Sequence, residues 1–369
     1  MPKPLPVSIL LVLFTLRAVA HYVPGNEYAM TNAVPLPFVV EDKGPVRKPD
    51  AILASPGLKV SGQGFWKFTA ARDLVPVPAA VPSVKQAHGT IIVDKGTDTV
   101  YWGLQGVGWI GFSNRLRDSW IVSGNIAFTN GNLHGADILP RRNKSPRIAA
   151  ADNMSGKIYL TDTGFQEVAS LGRPDFGTYA TNETFKPTDV AFASAKELWA
   201  VDGYGQQRFI PADVQPFRWQ GDHYGSGKRF SMTTHGITYD KRQDDLLISA
   251  RPEGQLKRVN RSDRLLNDIM GLPKGTLLCD VDLWGDYALA ACLDGPDKTP
   301  GPLHIINLKK RVIVSTIKPK EELGYEDALH MHDAAWYVTG KGKEQEVYIL
   351  FTNWNPGGIG ALKLVNIAD

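Results

Sequence analysis

Four of the eight histidines stand in matched surroundings: His88, His134, His235 and His332. The first three are each followed by glycine and the last by Asp333. Three of them, His134, His235 and His332, recur at nearly equal intervals and point to chemistry. Three neutral imidazoles meeting at one point, with a fourth position open, make a catalytic zinc site. Zinc takes nitrogen donors at about 2.0–2.1 Å and keeps the open place for water or substrate. For any one histidine the plainer reading is a turn preference, its ring satisfied by backbone carbonyls. Three at one register favour the metal. His88 shares the slot, as a further channel residue or a structural one. Asp333 is placed to bind a second cation or to orient an imidazole.

Such a site needs a scaffold that repeats. A recurring unit runs from residue 87 onward: a short apolar strand, a polar turn, then a strand rich in Tyr, Trp, Leu and Ile. Examples are AHGTIIVDKGTDTVYWGL from Ala87 and THGITYDKRQDDLLISARPEG from Thr234. The copies open at His88, His134, Asp189, His235, Asp280 and His332, 45 to 55 residues apart. That is the length of one four-stranded blade, and six copies predict an all-β, six-bladed β-propeller. A pair of β-sandwiches is the alternative architecture, and the regular spacing argues against it. Helical periodicity is nearly absent; Arg261 to Met270 is the one stretch read as a short helical turn. The first strand of each blade lines the central channel. Histidines on blades two, four and six then stand at rough three-fold symmetry around the axis.

The first twenty residues of the 369 read as a signal peptide. Lys3 gives a basic start, Val7 to Leu16 an apolar run, and Ala18-Val19-Ala20 the small-x-small form of a cleavage site. A membrane anchor would need about twenty apolar residues. The expected location is the secretory route or beyond it. Residues 21–86 show no clear repeat and are expected as an N-terminal arm or as outer strands that close the ring. Residues 87–369 are expected as the propeller. A formal charge of +3 gives no reason to expect a nucleic-acid or membrane partner. Cys279 and Cys292, in two apolar strand-like runs, are expected to pair across neighbouring strands in an oxidising compartment. Sequons at Asn143, Asn153, Asn182 and Asn260 are candidate glycosylation sites.

Several stretches together resemble peptidyl-α-hydroxyglycine α-amidating lyase, an NHL-repeat six-bladed propeller. They are LHGADI at His134, PTDVAF and ELWAVDGYGQQR between Pro187 and Arg208, THGITYD with LLISARPEGQLKRV from Thr234 to Val259, and MHDAAW at His332. The likeness runs across roughly residues 87 to 365. It implies that His134, His235 and His332 hold zinc. It implies that Tyr204 serves as base or hydroxyl stabiliser, that Arg251 binds substrate, and that Asp333 helps to hold a structural calcium in the channel. The reaction of that family cleaves the C–N bond of an α-hydroxyglycine and releases an amide and glyoxylate. The residue types are compatible: a phenol beside a dication can lose its proton more easily, and a guanidinium can clamp a carboxylate through two hydrogen bonds.

The chain also departs from the family. Its first blade reads Tyr101-Trp102-Gly103-Leu104-Gln105-Gly106 where the family carries an arginine; Arg115 and Arg117 are out of register. Gly205 stands where a cysteine would follow Tyr204, and His330 precedes the site where the family has no histidine. The expected function is a secreted zinc-dependent lyase for an α-hydroxyglycine-type amide or a related small α-hydroxy compound, with a small molecule or peptide as substrate. The alternatives are a non-catalytic propeller that binds a protein or glycan, and a calcium-dependent lactonase or hydrolase of the six-bladed group.

Overall fold

Each copy of the repeat folds into an antiparallel sheet, and six such sheets surround one axis. The computed structural model describes residues 33, 35–53, 55–81, 86–122, 130–225, 234–264 and 266–368. The expected signal peptide lies outside these residues. The innermost strands are Gly89–Asp94, Leu133–Arg141, Asp189–Phe192, Thr234–Asp240, Leu278–Trp284 and His330–Thr339. Each touches the next around the ring, and the sixth touches the first. The molecule is therefore a six-bladed β-propeller.

The sixth blade is shared between the two ends of the described chain. His330–Thr339, Glu346–Asn355 and Gly358–Ala368 form its inner part, and Trp66–Ala70 and Ser61–Gln63 add outside them. Leu362 faces Ala70, and Val365 faces Lys67. Ala51–Leu53 pairs in parallel with the end of the same C-terminal strand. The strands that join the ends carry none of the repeat's pattern.

Apolar residues on both faces of each blade meet at the six blade interfaces, one hydrophobic cluster to each. Carboxylates strap neighbouring inner strands together. Asp137 accepts the Phe192 N–H at 2.7 Å, Asp189 the Ile237 N–H at 2.7 Å, Asp282 the Trp336 N–H at 2.7 Å and Asp333 the Ile91 N–H at 2.6 Å. Arg261 to Met270 is not helical. Residues 261–263 turn, and Leu266–Gly271 is the outer strand of the fourth blade, paired with Gln255–Asn260. Edge pairing supplies what the local sequence left open.

Candidate metal centre

The inner strands of blades two, four, five and six each break register at the same point. The irregularities fall between Leu133 and Gly135, Thr234 and Gly236, Leu278 and Asp280, and Met331 and Asp333. The skipped residues are His134, His235, Cys279 and His332. A bulge turns the extra side chain out of the alternation and re-aims it. The repeat thus has one slot per blade, held by His88, His134, Thr188, His235, Cys279 and His332. The residues taken from the sequence for blades three and five, Asp189 and Asp280, belong to the next layer down. They also explain the glycine after His134 and His235. A Cβ on Gly135 would lie 2.2 Å from Asp189 Oδ1, and one on Gly236 would lie 2.4 Å from Asp280 Oδ1.

The sequence-predicted histidines come together with His88. Ring centroids are 4.5 Å apart for His134 and His332, 4.7 Å for His134 and His235, and 4.6 Å for His88 and His134. Each predicted histidine sets its Nδ1 on a carbonyl of another blade: His134 on Thr188 at 2.8 Å, His235 on Cys279 at 2.8 Å and His332 on Gly89 at 3.2 Å. A carbonyl can only accept, so Nδ1 carries the proton and Nε2 offers its lone pair to the axis. His134 Nε2 and His332 Nε2 then face one another at 3.3 Å. Burial, reinforced by the neighbouring imidazoles and Arg251, holds the pKa of His134 well below its usual value. Burial and then Arg251 do the same to His235. Burial lowers His88 to about 3.

Tyr204 and Arg251 stand against this cluster. Tyr204 hydroxyl lies 3.1 Å from His134 Nε2 and 3.3 Å from His235 Nε2, and it accepts a hydrogen bond from Arg251 at 3.1 Å. Asp202 shapes the turn that presents Tyr204. Its carboxylate accepts the N–H groups of Lys186 and Gln206, each at 2.6 Å, and the Tyr179 hydroxyl at 2.6 Å. Burial pushes the Tyr204 pKa up, against the pull of Arg251. Burial also opposes the Arg251 charge, yet Cys279 and Tyr204 beside it leave its pKa raised. The guanidinium is 1% exposed. A buried guanidinium can pair with an anion such as a carboxylate. His330, Asp294 and Trp354 flank the cluster: His330 Nε2 is 3.4 Å from Asp294, and Trp354 lies between His330 and His88.

Beneath the histidines the carboxylates of Asp189, Asp280 and Asp333 converge. A void of about 10 Å³ separates the two layers, lined by His134, His235, His332 and the three carboxylates. That is room for one water or one ion. Burial raises the carboxyl pKa values of all three, that of Asp333 to about 6, and repulsion from the neighbouring carboxylates adds to the rise for Asp189 and Asp280. Below this layer the channel widens into a cavity of about 840 Å³ on the other face.

The expected disulfide does not form: Cys279 and Cys292 are both buried free thiols. The bulge at Cys279 turns its side chain to Arg251, while the Cys292 thiol donates to the Ala290 carbonyl. Among the sequons, Asn143 and Asn182 are exposed. The Asn153 amide oxygen is engaged by Asn132, and the Asn260 amide nitrogen donates to Asp245.

No protein-family description and no curated protein sequence matches this chain. Solved structures of similar fold do. Sqt1 of Saccharomyces cerevisiae matches 73% of this chain and 69% of its own, at 8% identity and a TM-score of 0.46. The Pan2 WD40 domain of Neurospora crassa matches 77% and 81%, at 12% identity and 0.46. A nidogen/laminin complex matches 74% and 97%, at 10% identity and 0.50. At 10% identity the likeness to the nidogen/laminin complex is one of fold.

Proposed function

We propose that the protein is a metal-dependent enzyme that holds zinc through His134, His235 and His332 and acts on a small α-hydroxy compound bearing a carboxylate. The carrying observation is the shared anchoring of three imidazoles from alternate blades, with two lone-pair nitrogens 3.3 Å apart in a buried site. Two lone pairs so placed repel unless something positive lies between them. Two nitrogens bound to one tetrahedral zinc also sit about 3.3 Å apart, given bonds of about 2.0–2.1 Å. A neutral imidazole set suits zinc and its neighbours in the first transition row. Asp333, with Asp189 and Asp280, would hold a calcium in the layer below.

Zinc, when bound, supplies positive charge that polarises a nearby oxygen and lowers the pKa of groups beside it. Arg251 would clamp the substrate carboxylate and fix the neighbouring carbon near Tyr204. With the His134 and His235 lone pairs committed, the Tyr204 hydroxyl has no imidazole acceptor left. Its deprotonated form would take the proton of the substrate hydroxyl. The freed O–H electron pair becomes the C=O of glyoxylate, and the C–N pair leaves on nitrogen. That nitrogen takes up the proton and departs as the amide. This is the lyase reaction of the resembled family; the fold alone does not select it. The reading also includes secretion, on the strength of the first twenty residues.

The test is glyoxylate release from an α-hydroxyglycine peptide by zinc-loaded protein. Release is expected, with kcat/KM falling about 100-fold or more in Arg251→Gln, since a buried charge-assisted pair is lost. Zinc-loaded protein that releases no glyoxylate would discard C–N cleavage and leave the centre standing.

A further inference from the structure

The four imidazoles are not equally placed. One ring nitrogen from each of His88, His134 and His332 lies within 4.8 Å of the other two. His235 reaches His134 through the Tyr204 hydroxyl, which is within hydrogen-bond distance of both. The tightest set of ligand atoms among the described residues therefore includes the histidine of the first blade, which stands outside the three-fold pattern.

His88 is also built to present a lone pair. Gln105 Oε1 lies 3.1 Å from its Nδ1 and 3.2 Å from its backbone N, so two donors orient this amide oxygen inward. Asn132 sits 3.1 Å from the same Nδ1, and its own amide oxygen is buried with no hydrogen-bond partner. The Asn132 amide nitrogen is held in this orientation by Asn153 Oδ1, to which it donates at 2.8 Å. Gln105 Oε1, which can only accept, sets the proton on Nδ1 and leaves Nε2 as the ligating nitrogen, the same tautomer as in the other three histidines. Gln105 occupies the stretch in which the resembled family carries its first-blade arginine. Where that family would have a fixed cation near the centre, this chain has an imidazole and the amide that orients it.

We infer that His88 is a ligand of the centre, joining His134 and His332, so that four imidazoles share the ion. This rests on the metal reading above and changes its ligand set. A fourth imidazole fills the place that a three-histidine zinc site leaves open, so a bound substrate must either displace one ring or raise the coordination number. Trp354 packs beside both His88 and His330.

The test is titration of metal-free protein with Zn²⁺ and with Co²⁺, whose visible spectrum reports its ligands. Wild type is expected to bind one ion. His88→Ala should bind it at least 10-fold more weakly and with a changed Co²⁺ spectrum, and added imidazole should restore the spectrum of His88→Gly. Should these variants fail to fold, Gln105→Ala serves instead, with an expected 10- to 100-fold loss of affinity, the usual effect of removing the partner that orients a ligand. Wild type that binds one ion, with His88→Ala equal to it in affinity and spectrum, overturns the inference and leaves the metal reading intact. Wild type that binds no ion overturns both.

Discussion

His134→Ala is expected to weaken divalent-ion binding by at least about 100-fold, read by competition with a chromophoric chelator. His134 is common to every ligand set the geometry allows. Its Nε2 faces that of His332, touches the Tyr204 hydroxyl, and its ring packs on those of His88 and His235. Zinc held by four protein ligands is bound with roughly 10–16 kcal/mol at neutral pH. One ligand's share is then about 3 kcal/mol, or two decades in affinity. The blade itself should survive, because Leu133, Ile148 and Ala150 at the interface with blade one do not depend on the imidazole. An unchanged circular dichroism spectrum beside lost binding is the expected pair of results. Unaltered binding would place the ion elsewhere.

Ion affinity is expected to change less than 10-fold between pH 7.5 and pH 5.5. An ordinary histidine with a pKa near 6.5 costs about one decade of affinity per ligand at pH 5.5, or about three decades for three ligands. Here the competing protons are already excluded. Burial lowers His88 to about 3 and holds His134 and His235 well below 6.5. The same shifts set an acid limit. The unfolded chain takes up protons on these groups near pH 6.5 and the native chain does not. Their contribution to stability is full above that pH and is lost as the pH falls toward 3. For His88 the loss is on the order of 5 kcal/mol. Asp137 works in the opposite sense. Burial raises it to about 6, so its cost to the fold is largest above that value and is relieved as the carboxyl protonates on acidification. Affinity that falls by three decades over this range would mean that the histidines titrate as exposed ones do.

Much of the scaffold is legible in the sequence because a propeller repeats its own chemistry. The apolar strand, polar turn and aromatic strand recur once per blade, and a residue in the same slot of each copy must face the axis. What is less legible depends on contacts between blades. Leu-Cys-Asp at 278–280 and Met-His-Asp at 331–333 are the same bulge, yet the cysteine reads as an ordinary strand residue until the register break is seen. That bulge sends Cys279 to Arg251 of another blade instead of to Cys292. The closing strands, Ser61–Gln63 and Trp66–Ala70, are short and owe their place to pairing with the C-terminal strand. His88 is visible in its slot, but its orienting partner Gln105 comes from beyond the end of the next strand and leaves no motif.

Everything proposed for the channel rests on an ion at its axis. The most direct measurement is elemental analysis of the wild-type protein, purified without chelator and again after incubation with zinc and desalting. One transition-metal equivalent per chain, released by a chelator and absent from His134→Ala, is the predicted result. Wild-type protein that holds no transition metal after both treatments would contradict it, and the four histidines would then be a packed, neutral core of the channel.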